Sequence, residues 1–220
     1  MGYGIRLEAW GPYALFSRPE MKTERASYEV MTPSAARGLI EAVYWHPGLR
    51  WVVESIFVRN PIRFTNIRRN EVKAKILASD LRAACEGNNA PLFIDAKEQI
   101  QQRAASVLTD VRYIVSAHFE MTDRAKPGDT PEKFYAMAAE RLRRGRTFMQ
   151  PYFGCREFPA HVRLYEGGLP EPCEELRGER DLGHMLFDMD YANPKGIRPV
   201  FFHAKLVDGL LDLTDCGVKT

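Results

Sequence analysis

What this 220-residue sequence lacks narrows it first. Its four cysteines, Cys85, Cys155, Cys173 and Cys216, form no C-x-x-C pair and no Cys/His spacing able to build a tetrahedral zinc site. They are expected as reduced thiols in a cytoplasmic protein. No window approaches the ~18 uninterrupted apolar residues of a membrane span, and MGYGIRLEAW lacks the charged-then-apolar order of a secretion signal. Membrane and secreted classes are therefore not expected. Internal repeats, low-complexity tracts and acidic clusters of metal-binding spacing are absent too, so neither a metal nor another cofactor is expected.

Net charge is also scarce, at +2, but the small total hides an asymmetry. Residues 59–75 carry six cations (Arg59, Arg63, Arg68, Arg69, Lys73, Lys75) against the single acid Glu71. A second basic cluster holds Arg141, Arg143, Arg144 and Arg146. Residues 166–190 reverse the balance, with eight acids against Arg177 and Arg180, and are expected to avoid RNA and to face another protein.

Periodicity supplies the fold. Residues 3–10 alternate Tyr3, Ile5, Leu7 and Ala9 with Arg6 and Glu8, a strand pattern. Thr32-Pro33 then reads as a helix cap followed by proline at the first helical position, with Ala36, Leu39, Ile40 and Val43 as the apolar stripe and His46-Pro47-Gly48 as the stop. Residues 51–58 form an apolar strand. Residues 59–76 keep strand propensity but are too charged for a core, and so read as a projecting hairpin arm. Residues 77–102 are irregular, with a turn at Gly87-Asn88-Asn89. In 111–121, Val111, Tyr113, Val115, Ala117, Phe119 and Met121 face one way and Arg112, Ile114, Ser116, His118 and Glu120 the other. Thr130-Pro131 opens a second capped helix through Phe134, Met137, Ala138 and Leu142, closed at Gly145, and a strand follows at 160–166.

Strand-helix-strand-(arm)-strand-helix-strand is the ferredoxin-like arrangement: an α+β fold with two helices on one face of an antiparallel sheet and the other face free. Three short strands near 185–190, 198–206 and 210–214 are expected as a small C-terminal antiparallel β element. The expected domains are 1–167, with the arm at about 59–80, and 168–220.

The basic arm is either a solvated hairpin or a nucleic-acid contact. Phe64, Asn66 and Asn70 beside its arginines give cation, stacking surface and amide together, which suits single-stranded RNA. For chemistry, His118 is a candidate because a histidine side chain can serve as base or acid, while Tyr44 at the rim of the first helix is a better hydrogen-bond donor than a base. Each also has a plain reading, His118 as a surface histidine, Tyr44 as a core or rim tyrosine. His46 has one as well, as a helix C-cap favoured by the dipole. If Tyr44 and His118 converge, they suffice for metal-free cleavage in which a 2′-hydroxyl attacks the adjacent phosphate.

Several stretches in order (YGIRLEAWGPYALFSRPEMKTERASYEVMTPSAARGLIEAVYW, IRRNEV, YIVSAHFEMTD, GCREFPA and RDLGHMLFDMDY) resemble the Cas-five proteins of subtype I-C CRISPR systems nearly end to end. The resemblance implies a ferredoxin-like domain with a basic hairpin arm and metal-independent cleavage of precursor CRISPR RNA at the base of the repeat stem-loop. It also implies retention of the 5′ handle beside the backbone and large subunits of Cascade. Tyr44 and His118 fall where such proteins carry their catalytic tyrosine and histidine. Their catalytic lysine beside the histidine is replaced here by Ala117, which leaves Arg112, Lys73 or His46 as candidate support. Arg156 in GCREFPA either holds a phosphate oriented by Glu157 or forms an ion pair with it. The rival expectations are a non-catalytic RNA-capping subunit and a subunit that touches target duplex DNA.

Overall fold

The computed structural model describes residues 3–21, 23–87, 92–191, 193–194 and 196–217, so Asn88 and Asn89 of the expected turn lie outside the described residues. The elements are β1 (Gly4–Ala14), β2 (Arg25–Ala26), α1 (Pro33–Val43), β3 (Leu49–Val58), β4 (Phe64–Val72), α2 (Ala78–Cys85), β5 (Ile100–Met121), α3 (Pro131–Arg143), β6 (His161–Leu164), β7 (Glu179–Asp190), β8 (Arg198–Val207) and β9 (Leu210–Asp212). Among the described residues the fold is mixed α and β, with a mostly antiparallel sheet, two α-helices (α1 and α3) packed on it and a third, α2, that buries no residue.

Both capped helices start where their sequences dictate. Thr32 Oγ1 accepts from the Ala35 amide and Thr130 Oγ1 from the Lys133 amide, each followed by proline where a helix has no use for an N–H. α1 buries Ala36, Leu39, Ile40 and Val43. α3 buries Phe134, Ala138 and Leu142. The sheet they cover runs β6-β1-β5-β3-β9-β8-β7 among the described residues, with β2 and β4 paired to β5 off this path. Leu7, Val115, Ala117, Phe119, Trp51 and Ile56 supply the buried strand positions, as the alternation in β1 and β5 requires.

Two expectations change. The irregular stretch 77–102 contains the exposed helix α2 and ends in a strand, because β5 begins at Ile100 and pairs with β4 from Val72↔Ile100 to Phe64↔Leu108. The arm is thus a hairpin whose return strand continues into the core sheet. At Asp110, where arm passes to core, the backbone is left-handed (φ 48°), a conformation aspartate tolerates, and Asn60 Nδ2 donates to its carbonyl at 2.8 Å.

The sheet face away from α1 and α3 is also not free. The connector 165–178 leaves β6 with the Tyr165 amide donating to Arg6 O at 2.9 Å, and Arg6 Nη1 donates to Gly167 O at 2.9 Å. Leu169 lines one cleft with Ser116 and Glu54, and the connector ends where the Asp208 amide donates to Gly178 O. Ile114 and Phe57 are buried on that face (0% and 4% exposed), and Phe57 shares a second cleft with Leu169 of the connector. Of the acidic residues in 166–190, Glu175 reaches the arm's Arg63 at 3.3 Å, whereas Glu166 pairs with Arg143, Glu179 with Lys205, Asp181 with His203 and Asp188 with Arg37. C-terminal β9 hydrogen-bonds to β3 and so carries β8 and β7 on from the same sheet, with β7 returning against α1 through an Arg37–Asp188 ion pair. No helix among the described residues is long and apolar enough to cross a membrane.

Candidate nucleic-acid interface and active site

His118 projects from β5 between Gly4 of β1 and Val52 of β3. Its Nδ1 lies 2.8 Å from Glu54 Oε1 on β3, and both side chains are partly exposed. An ionised carboxylate only accepts, so for a neutral ring this contact selects the tautomer with the hydrogen on Nδ1 and the lone pair on Nε2. Glu54, though not His118 itself, lines a cleft of about 690 Å³ together with Ser116, Arg6 and Leu169. Glu54 escaped the sequence reading because it meets His118 only through cross-strand register, which a β3 bulge between Val53 and Ser55 shifts.

Tyr44 lies on the other side of the sheet. Its ring packs against Phe134 of α3, and Phe134 packs against Phe119, the neighbour of His118 that points the opposite way along β5. Tyr44 is 4% exposed, caps α1, and donates from its hydroxyl to Met137 Sδ at 3.4 Å with the Arg141 guanidinium over its ring. Burial pushes the phenol above its ordinary value against the pull of Arg141, so the hydroxyl is a donor and not a base. His46 shares this helix-side end: its ring sits 4.9 Å from that of Phe134 and its Nδ1 accepts from the Gly48 amide at 3.0 Å. Tyr44 and His46 are brought together; Tyr44 and His118 are not.

The remaining candidates separate as well. Arg112 shares the face of His118 but lies six residues away, with Nε donating to Glu8 Oε1 at 2.8 Å. Lys73 follows β4 at the far end of β5, its amide donating to Gln99 O. Along the arm Arg63, Arg68, Lys73 and Lys75 are exposed, beside exposed Phe64, Asn66 and Asn70. Arg59 and Arg69 are half-buried. Arg69 pairs with Glu157 and lies over the Phe158 ring at 5.4 Å, so it ties β4 to the GCREFPA turn. Glu157 is therefore engaged by Arg69, and Arg156 is left exposed without an ion pair among the described residues. Gly154 of that turn has φ 77°, and a Cβ there would meet Leu15 O at 2.0 Å, so the turn admits only glycine.

Sequence and structure comparisons agree on relatives. A family model described as CRISPR-associated protein (Cas_Cas5), the Cas5d form, matches residues 4–213. The CRISPR pre-crRNA endoribonuclease Cas5d of Mannheimia succiniciproducens is 45% identical over 217 residues, covering 97% of this chain and 96% of the relative. The protein of the same name from Thermus thermophilus is 36% identical, covering 95% and 90%. Among solved structures, one titled as a CRISPR-associated protein superposes with TM-score 0.67 at 20% identity, over 99% of this chain and 96% of that one. A chain of a CRISPR RNA-guided surveillance complex gives 0.53 at 15% identity, over 98% and 89%.

Proposed function

Because the chain belongs to the Cas5d family of CRISPR-associated proteins, we propose that it is an endoribonuclease that cuts precursor CRISPR RNA in the repeat, at the base of its stem-loop. It then stays on the 5′ handle as a subunit of a Cascade complex in antiviral defence, of subtype I-C. The observation that carries the catalytic reading is the His118–Glu54 pair, whose carboxylate partner lines a cleft. In the reaction His118 Nε2 takes the proton of a 2′-hydroxyl, the 2′-oxygen attacks the adjacent phosphorus, and the 5′-oxygen leaves with a proton. The upstream fragment ends in a cyclic phosphate and the downstream fragment in a 5′-hydroxyl. The exposed arm, with Arg63, Arg68, Lys73, Lys75 and the stacking surface of Phe64, holds the RNA. Support for a ferredoxin-like first half comes from the order β6-β1-β5-β3 under α1 and α3. Division at residue 167 into this unit and a C-terminal β unit belongs to the same proposal.

A second reading places the chemistry on the helix side, where Tyr44, His46 and Arg141 cluster. Incubating purified protein with a repeat hairpin in EDTA, and with a hairpin 2′-deoxy at the scissile nucleotide, tests the mechanism. Cutting of the ribose hairpin alone is expected. A metal requirement, or cutting of the deoxy hairpin, sinks 2′-hydroxyl attack; no cutting leaves a capping subunit, or one that contacts target duplex DNA.

A further inference from the structure

On the face of His118, but at the other end, β1 places Glu8 opposite Ile114 of β5 and Arg163 of β6. Its side chain is fully buried, and three guanidiniums close over it. Oε1 accepts from Arg59 Nη1 at 2.6 Å and from Arg112 Nε at 2.8 Å, and Oε2 accepts from Arg163 Nε at 2.6 Å. Trp10, two residues on, lies beneath two of these cations, with Arg163 5.5 Å and Arg112 6.0 Å from its ring centre. His161, exposed, stacks on its ring at 5.5 Å.

One carboxylate cannot neutralise three guanidiniums. No other ion pair engages Arg59, Arg112 or Arg163 among the described residues, so the group keeps a surplus of two positive charges. Each guanidinium has five N–H donors in a rigid fork, and Glu8 takes only one edge of each. The carboxylate thus orients three forks without discharging them, leaving donors for phosphate oxygens. Arg59 also donates its amide to Arg112 O at 2.9 Å, which fixes the group where the chain leaves β3 for the arm.

We propose that Arg59, Arg112 and Arg163, oriented by Glu8 and walled by Trp10 and His161, form a binding site for one phosphodiester of single-stranded RNA, its base against His161. This rests on the functional reading above and adds to it a second anchoring point. Arg112 and His118 are six strand residues apart, about 20 Å at ~3.3 Å each, with the connector 165–178 passing over the sheet between them. The site therefore holds a nucleotide away from the bond that is cut, and sets how the strand enters from the arm.

The test is fluorescence anisotropy with a labelled repeat hairpin carrying a single-stranded flank, over a salt series. Arg163→Ala should bind about tenfold more weakly, with the slope of log K against log salt shallower by ~0.7, the single-strand value for one phosphate. Arg163→Lys should keep the wild-type slope but lose part of the affinity, since an ammonium has no fork. His161→Ala, altering an exposed ring, should cost about fivefold, the low end for one stacked base, with the slope unchanged. Should Arg163→Ala fail to fold, the lysine and His161 variants still decide. Wild-type affinity and slope in the variants overturn the site while leaving the functional reading intact. Failure of the wild-type protein to bind the RNA overturns both.

Discussion

Replacing Glu8 by glutamine keeps the shape of the side chain and removes its charge from beneath three guanidiniums. Breaking a fully desolvated ion pair costs about 3–5 kcal/mol. Here the carboxylate is buried, but the side chains of Arg163, Arg112 and Arg59 remain 56%, 36% and 29% exposed. Water takes over part of the lost interaction, so the expected loss is about 2–3 kcal/mol. At ~2–4 °C per kcal/mol for a chain of this size, Tm should fall by about 4–12 °C. The sign with pH follows from the carboxyl group itself. Burial alone pushes it up, but hydrogen bonds from Arg112, Arg59 and Arg163 outweigh burial and hold it below its ordinary value. Such a group contributes stability that is complete above its unfolded pKa, about 4.3, and lost as pH falls through the folded value. Urea unfolding of both proteins at several pH values should show the full gap near neutrality and a shrinking one below pH ~4. A gap of equal size in acid, or none at neutral pH, refutes the reasoning.

Three further outcomes are expected. His118→Ala should slow single-turnover cleavage by about 10²–10⁴-fold, the usual worth of a general base, with RNA affinity within a few fold; unchanged cleavage moves the chemistry to Tyr44 and His46. Glu54→Gln, which removes the carboxylate on Nδ1, should lower kcat about tenfold and leave KM nearly unchanged, read from steady-state cleavage of a repeat hairpin. Arg68→Ala, on an exposed arm residue, should weaken RNA binding and flatten its salt dependence without altering Tm, whereas Arg69→Ala should lower Tm as well, because it frees Glu157 and Phe158.

Features written in local chemistry were legible. Thr32-Pro33 and Thr130-Pro131 announce their helices through caps that need only neighbouring residues. The alternation Val111 to Met121 gave the two faces of β5 because one is buried under helices. The first half of β5 hid because Gln101, Gln102 and Arg103 pair with the equally polar Asn70, Glu71 and Arg69, leaving no apolar face to betray the period. Glu8 was visible as an outward strand residue, but its burial depends on Arg59 and Arg163, 51 and 155 positions away. The separation of Tyr44 from His118 was partly within reach, since a residue beside buried Phe119 must face away from the helix that carries Tyr44. The connector over the sheet was not, because nothing in a run of Gly, Pro and Glu states which surface it crosses.

The 22 residues of β5 belong to two structures at once: their first part is half of the arm and their last part carries His118 between β1 and β3. Left-handed Asp110 is the joint. Beyond that joint the ladder with β4 can be lengthened or shortened by matched pairs of residues, altering how far the arm reaches, while β1 and β3 hold the His118 end in place. The reach of the arm and the setting of His118 can therefore vary independently on one continuous strand, so the arm can change length without rebuilding the sheet that holds His118.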